Sequence, residues 1–281
     1  MIAQYNVTDI PESELLNRRR NVQQLLAQKK AEALVLFAPD NIYYLTAAPF
    51  IPTERPIAFI LKQDGSTAIL VPRLEVEYVS SMAKCVDIVA NYNEYPGEKH
   101  PMLYLRELLD RLAISHCCVC VDSDGYASYF GYEGPALSAV CEDLTVLPEP
   151  RMISRLKRIK SAFDLSVIRE SVKWGNLAHM LLQEYTCVGL REMEVERRAS
   201  AEATTAMLKA LGPSFQVAGP KVASVTADYR GQIGPASAKP HIVNTNAVFR
   251  KGDNLTINNF GLFGISYVRT LSLFHPMFLY S

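Results

Sequence analysis

Short apolar segments alternate with helical patterns through the first half of the chain, and this order constrains the fold more than any other feature. The continuous apolar segment 33–37 predicts a buried strand, with helical patterns before and after it. Segments 57–61 and 67–71 flank Asp64-Gly65, a pair that favours the positive φ of a hairpin turn. Alternating elements with one hairpin predict an α/β domain with a mixed sheet.

A proline-rich tripeptide, Pro148-Glu149-Pro150, interrupts this alternation and marks the predicted domain boundary. We therefore expect a first domain over residues 1–150 and a second over residues 151–281. A chain of 281 residues is long enough for two domains. Its apolar content of 49% and charged content of 21% are typical of globular proteins.

The second region begins with two helical patterns. Ser161 and Asp164 have the spacing of a capping box at the start of the first helix. The second helix is expected at about 190–211, because Gly212-Pro213 ends it. Strands are expected near residues 222–225, 242–248 and 255–263.

Charge and segment lengths argue against several classes of partner. The formal net charge is zero, so no electrostatic argument favours nucleic acid or an anionic membrane. The N-terminus lacks the basic start and apolar core of a secretory signal. The longest apolar segments are too short to span a bilayer. We therefore expect a cytoplasmic protein with no nucleic-acid or membrane partner.

The cysteines include a cluster, His116-Cys117-Cys118-Val119-Cys120, that suggests a metal site at first sight. The cluster lies in an apolar segment that predicts a buried strand, and no second ligand pair has the spacing of a zinc site. We interpret the six cysteines as reduced, buried packing residues.

Several short motifs follow one another between residues 14 and 270. In the first domain they are segments 33–37, 39–46 and 71–75. In the second domain they are segment 155–160 with Ile168-Arg169, Gly189 with Glu192, Pro240-His241, Gly252-Asp253 and Arg269-Thr270. In this order, the motifs resemble the creatinase, prolidase and aminopeptidase P family.

The resemblance implies both a fold and an activity. Residues 1–150 would form a creatinase-type α/β N-terminal domain, and residues 151–281 the N-terminal half of an α+β pita-bread peptidase domain. The family hydrolyses peptide bonds that precede proline. Two divalent ions, manganese or similar, polarise the carbonyl and activate a water. By motif position, His241 resembles a catalytic histidine on the substrate side, and the resemblance also implies a peptide substrate and a homodimer.

The chain departs from the family where the metal ligands are expected. The family holds its ions with two Asp, one His and two Glu residues. The first Asp is expected about five residues after Asp253, where the sequence has Ile257-Asn258-Asn259-Phe260-Gly261. No Asp or Glu follows Asp253, and we expect the second half of the pita-bread fold to be missing. We therefore assign no metal ligand, expect no cofactor in this chain and predict that it is inactive.

A non-catalytic binding or dimerisation module is the alternative. The uncharged tail 271–281 is rich in apolar and aromatic side chains, and such a surface favours association. Loop 50–56 is interpreted as a surface loop, with an interface to a neighbouring subunit as the second possibility. Asp253 is interpreted as a turn residue before a strand. The glutamates of the second helix are interpreted as a solvated surface: Glu192, Glu194 and Glu196.

Overall fold

The computed structural model describes residues 9–127, 131–213, 215, 225–256, 258–261 and 276–278. The chain divides into two compact units, one over Ile10–Lys160 and the other containing Ser161–Ser281. The division follows residue 160 rather than the predicted residue 150, because one more helix, Met152–Arg158, packs with the first unit.

One lysine shows why this helix belongs to the first unit. Nζ of Lys157 donates hydrogen bonds to the backbone carbonyl of Asp40 at 3.2 Å and to Oδ1 of Asn41 at 3.1 Å. Burial lowers the pKa of Lys157 to about 8. The helix is therefore anchored through a side chain that is itself largely removed from water.

The first unit is built on a six-stranded mixed sheet. The strand order is β4-β3-β2-β1-β5-β6, and β2 pairs antiparallel with both β1 and β3 while the other three pairs are parallel. The strands are β1 (Ala33–Leu36), β2 (Ala58–Lys62), β3 (Thr67–Pro72), β4 (Ile88–Tyr92), β5 (Cys118–Val121) and β6 (Thr145–Pro148). The predicted hairpin joins β2 to β3, with Gly65 at φ +98° in its turn. The predicted α/β domain with a mixed sheet is confirmed.

Among the described residues, six α-helices accompany this sheet. They are α1 (Glu12–Lys29), α2 (Pro39–Thr46), α3 (Val76–Met82), α4 (Pro101–Arg111), α5 (Leu137–Val140) and α6 (Met152–Arg158). Helix α1 carries two buried arginines. Arg18 donates to the carbonyl of Tyr44 at 3.1 Å, and Arg19 donates to the carbonyls of Leu45 and Lys84, each at 2.9 Å. These bonds satisfy two carbonyls in the last turn of α2, the segment that carries one of the family-like motifs, and one carbonyl after α3.

A single carboxylate joins the ends of β1, β5 and α2. Asp122 follows β5 directly, and its oxygens accept hydrogen bonds from the backbone N–H groups of Phe37 at 2.9 Å and Ala38 at 3.1 Å. Oδ2 also accepts a bond from Nδ2 of Asn41 at 2.9 Å. Because Asn41 binds Lys157 through its other amide atom, it links this carboxylate to α6.

All six cysteines are free. Cys120 and Cys141 are buried, and burial raises the pKa of each thiol to about 11. Cys85, Cys117 and Cys118 are partly exposed. Cys187 is exposed, so the interpretation as a buried packing residue is wrong for that position, which lies in the turn between two helices.

In the second unit, two long helices pack against a two-stranded antiparallel sheet. The helices are α7 (Ala162–Tyr185) and α8 (Glu192–Leu211), and the strands are β7 (Val225–Asp228) and β9 (Asn258–Gly261). The predicted capping box is present at α7. The Asp164 N–H donates to Oγ of Ser161, and the Ser161 N–H donates to Oδ2 of Asp164, each at 3.0 Å.

Two further strands pair antiparallel, β8 (Asn254–Thr256) with β10 (Pro276–Phe278). The strand predicted at 242–248 is wrong. This segment is a loop, because Asn246 adopts φ +52° and its N–H donates to the side chain of Asn244 at 2.8 Å. Residues 222–224, 257, 262 and 263 of the other predicted strands lie outside the described residues. In the part of the chain that the structure describes, no helix is long and apolar enough to cross a membrane.

Candidate functional site

Helix α8 runs along the free edge of β7 and supplies it with hydrogen-bond acceptors. The N–H of Val225 donates to Oγ1 of Thr204 at 3.0 Å, and the N–H of Ala227 donates to Oγ of Ser200 at 3.2 Å. The next two alternate N–H groups, those of Tyr229 and Gly231, donate to the carboxylates of Glu196 and Glu192 respectively. Alternate backbone donors of the strand and its extension are thereby paired with side chains of one helix.

This pairing is possible because the four-residue repeat of the helix and the two-residue repeat of the strand have nearly equal lengths. Four helical residues rise about 6 Å, and two strand residues span about 6.6 Å. The acceptors follow one another at four-residue intervals, which places them on one side of the helix. They are Thr204, Ser200, Glu196 and Glu192. An edge that would otherwise expose unpaired N–H groups is covered by helix side chains.

The interpretation of the α8 glutamates as a solvated surface is wrong for two of the three. Glu192 is fully buried, and its oxygens accept hydrogen bonds from the N–H groups of Gly231 and Ala247. Glu196 is partly buried, and its carboxylate also accepts a hydrogen bond from a backbone N–H group. Glu194 lies on the opposite side of the helix and is exposed, as the sequence predicted. The sequence signal that was missed is the four-residue spacing of Glu192 and Glu196 with Ser200 and Thr204.

Glu196 uses both carboxylate oxygens. Oε1 accepts the N–H of Tyr229 at 2.7 Å, and Oε2 accepts Nδ2 of Asn244 at 3.0 Å. Burial, together with the neighbouring charges of Glu192 and Asp228, raises the pKa of Glu196 to about 7, although the Tyr229 and Asn244 bonds oppose this rise. The carboxylate therefore changes charge near neutral pH.

Asp228 is the last residue of β7, and its carboxylate is also perturbed. Its Oδ1 is buried and has no hydrogen-bond partner among the described residues. Burial raises the pKa of Asp228 to about 6, with a smaller contribution from Glu192, whereas the charge of Arg230 opposes the rise. In the strand register, Asp228 lies opposite Asn258 of β9.

Strand β9 contains the two asparagines that stand where the family resemblance implies a metal-binding Asp. Asn259 lies opposite Ala227, and Asn258 lies opposite Asp228. Because successive strand residues alternate between the faces of a sheet, the two asparagines lie on opposite faces. No group of three or more His, Cys, Asp or Glu side chains in the described residues is arranged to hold a metal ion. The described residues alone therefore do not supply the ligands of a pair of divalent ions.

His241 is the one histidine that the sequence assigned to this region. It lies in the loop between β7 and β8, and its side chain is exposed, without a hydrogen bond to any other described residue. Asp253, the predicted turn residue, does occupy a turn, where its Oδ2 accepts the N–H of Arg250 at 2.8 Å. The loop that contains His241 is hydrogen-bonded to Glu192 and Glu196 of α8.

Comparison with protein families identifies the first unit. Residues 18–133 match the family described as the creatinase/prolidase N-terminal domain. The first unit therefore belongs to that domain family, and the resemblance that its motifs predicted is confirmed. The matched range contains the β2–β3 hairpin, the buried arginines of α1 and the Asp122 junction.

Known relatives and solved structures extend the likeness to the rest of the chain. An uncharacterized peptidase of Staphylococcus aureus strain bovine RF122 / ET3-1 is 27% identical over 172 residues, which are 60% of this chain and 44% of that protein. The prolidase from Pyrococcus horikoshii OT3 matches with a TM-score of 0.64 at 16% identity, over 94% of this chain and 65% of its own. The Xaa-Pro dipeptidase from Bacillus anthracis matches with a TM-score of 0.62 at 16% identity, over 89% and 62%.

These structures establish the fold. The chain combines a creatinase-type N-terminal domain with part of the pita-bread fold of prolidases, as its motifs predicted. It spans less than half the length of the Staphylococcus relative and about two thirds of the prolidase structure.

Proposed function

We propose that this chain has the fold of an Xaa-Pro peptidase but does not itself hydrolyse peptide bonds before proline. The observation that carries the proposal is the sequence of β9, where Asn258 and Asn259 stand in place of a carboxylate. An asparagine offers a neutral carbonyl oxygen, so a dication loses a charged partner there. The whole protein's substrate class, peptides with a proline after the scissile bond, and the role of His241 beside that substrate are part of this proposal.

Metal titration followed by a peptidase assay on the same sample tests the proposal. The purified chain is titrated calorimetrically with Mn²⁺ and then incubated with the dipeptide Ala-Pro. We expect no binding of an ion pair and no turnover. Tight binding of two ions with hydrolysis of Ala-Pro would overturn the proposal.

Two single substitutions sharpen this test. Asn258→Asp and Asn259→Asp each restore one carboxylate, and the two positions lie on opposite faces of β9. We expect one variant to bind Mn²⁺ more tightly than the wild type, while the other serves as its control. If both variants bind Mn²⁺ as weakly as the wild type does, neither asparagine occupies a ligand position and the assignment is wrong.

A non-catalytic binding or dimerisation module is the second candidate. Segment Pro276–Phe278 forms β10 and pairs with β8 of the same chain. Two copies can form a dimer by exchanging such a terminal strand, which supports the proposed homodimer. Light scattering after size exclusion tests this: the full chain is expected as a dimer, and a chain without residues 271–281 as a monomer. An unchanged mass after the deletion would exclude this interface.

We also propose a cytoplasmic location. Free cysteines support a reducing compartment, because paired cysteines accumulate in oxidising ones. The formal net charge of zero supports the absence of nucleic-acid and membrane partners. Fractionation of cells that express the tagged chain tests the location, and recovery from the culture medium with disulfides formed would contradict it.

A further inference from the structure

The loop from Tyr229 to Ala247 is held to α8 by two glutamates. Glu192 accepts the N–H of Gly231 near the start of the loop and the N–H of Ala247 at its end, the latter at 3.3 Å. Because one buried carboxylate holds both ends, the loop is closed at its base.

Glu196, one turn further along the helix, holds the loop at a second place. Its Oε1 binds the N–H of Tyr229 and its Oε2 binds the side chain of Asn244. Oδ1 of Asn244 already accepts the N–H of Asn246 at 2.8 Å, so the amide is oriented with Nδ2 toward Glu196. Both oxygens of Glu196 thus act as acceptors, and this is the arrangement that an ionised carboxylate satisfies completely.

We propose that Glu192 and Glu196 are positioning residues that fix the loop carrying His241, and that protonation of Glu196 loosens the loop. The hydrogen bonds that hold the loop are independent of the proposed function, whereas the consequence for His241 rests on it. A protonated Glu196 is a donor that faces two donors, Nδ2 of Asn244 and the N–H of Tyr229, so at least one of these bonds weakens. The bonds of the buried Glu192 carboxylate then remain at the base of the loop, together with the bond from the Glu192 N–H to the carbonyl of Ala247 and that from the Met193 N–H to Oδ1 of Asn246.

The groups around Glu196 favour protonation near neutral pH. Glu192 lies on the same helix, Asp228 on β7, and both place negative charge nearby. Arg230 follows β7 and acts on Asp228 rather than on Glu196. The opposing contributions are the bonds from Tyr229 and Asn244. With burial added, the pKa of Glu196 is about 7, so a modest change of pH alters its charge.

Amide hydrogen exchange between pH 6 and pH 8, corrected for the intrinsic rate, tests the proposal on the whole chain. We expect protection at Tyr229 and in peptides across the loop to fall by about an order of magnitude as the pH drops through 7, from the loss of one charged hydrogen bond. Glu196→Gln is expected to show the low-protection state at every pH. Glu194→Gln, on the exposed side of the same helix, is expected to behave as the wild type does.

A second variant keeps the test decisive if Glu196→Gln does not fold. Asn244→Ala removes a bond that favours the ionised carboxylate, so the pH midpoint of protection should move upward. Constant protection across this pH range in the wild type, or an unchanged midpoint in Asn244→Ala, would overturn the proposal. Exchange is read without metal or peptide, so this result stands whether or not the chain proves to be a peptidase.

Discussion

The backbone N–H of Tyr229 lies 2.7 Å from Oε1 of Glu196, and this bond ties the residue after β7 to the middle of α8. Tyr229 is itself fully buried. Its hydroxyl lies 2.6 Å from Oγ1 of Thr186, and its ring packs edge-on against Phe249. The bond therefore connects a partly buried carboxylate to a residue in the core of the second unit.

The hydroxyl acceptors of α8 should contribute to stability, unlike otherwise similar hydroxyls on the same helix. Thr204→Ala leaves the N–H of Val225 without its acceptor, and we expect a loss of about 1–2 kcal/mol in the free energy of unfolding. Thr205→Ala is the matched control. Both hydroxyls donate to the carbonyl four residues earlier, but Thr205 is exposed and its hydroxyl accepts no N–H from a described strand residue. Urea denaturation measures both, and equal losses would show that the strand contact contributes nothing.

Gly231 should tolerate alanine less well than Gly212 does. Both adopt positive φ, +74° and +79°, so both substitutions introduce backbone strain. A Cβ at Gly231 would lie 2.3 Å from the carbonyl oxygen of Val243, whereas a Cβ at Gly212 meets no atom of the described residues within 4 Å. We expect Gly231→Ala to cost about 1–3 kcal/mol more than Gly212→Ala, from overpacking. Thermal unfolding of the two variants measures the difference, and similar melting temperatures would contradict the crowded loop.

The pH dependence of stability should carry the sign of a raised carboxyl pKa. The pKa of Asp228 rises from 3.8 to about 6 in the folded protein, so its ionisation is costlier in the folded state than in the unfolded state. Stability from this group is fully present below about 3.8 and is lost as the pH rises through 6.

Asp228→Asn tests this sign. The variant should become more stable relative to the wild type as the pH rises from 4 to 7, on the order of 1 kcal/mol because solvent screens a partly exposed carboxylate. Glu194→Gln, at an exposed position, is the control and should show no such trend. Denaturation midpoints at several pH values measure the effect, and a difference that shrinks with rising pH would have the wrong sign.

The carboxylate of Asp122 should contribute more to stability than an exposed carboxylate of the first unit does. Its oxygens accept three hydrogen bonds, and Asp122→Asn removes the charge and part of the accepting capacity. We expect a loss of about 1.5–3 kcal/mol. Asp110→Asn is the control, because among the described residues this exposed carboxylate makes one ion pair, at 3.8 Å with Arg106, and the substitution should cost less than about 0.5 kcal/mol. Equal losses of unfolding free energy for the two variants in chemical denaturation would contradict a stabilising role of the Asp122 junction.

The sequence predicted those elements whose signals are local. Asp64-Gly65 specifies its own turn in the first unit, and Ser161 with Asp164 caps the first helix of the second unit through contacts three residues apart. The boundary differs because Lys157 binds Asp40 and Asn41, contacts across more than a hundred residues that no local pattern records.

The second unit was harder to predict for the same reason. Segment 242–248 has the apolar residues of a strand, but as a loop it donates hydrogen bonds from Nδ2 of Asn244 and the N–H of Ala247 to the glutamates of α8. In the sequence these glutamates resembled solvent-exposed residues, because the backbone N–H groups that they bind leave no pattern of residue types. The four-residue spacing of acceptors was visible in the sequence, but it gains meaning only when a strand lies beside the helix.

The cover that α8 gives to β7 also limits how copies of this protein can meet. A sheet edge with free N–H groups is a template on which a neighbouring chain can add a strand. Here Thr204, Ser200 and Glu196 occupy the outward donors of the strand and of the residue that follows it. An incoming strand would have to displace a whole helix, so edge-to-edge aggregation is blocked on this side while the chain stays folded.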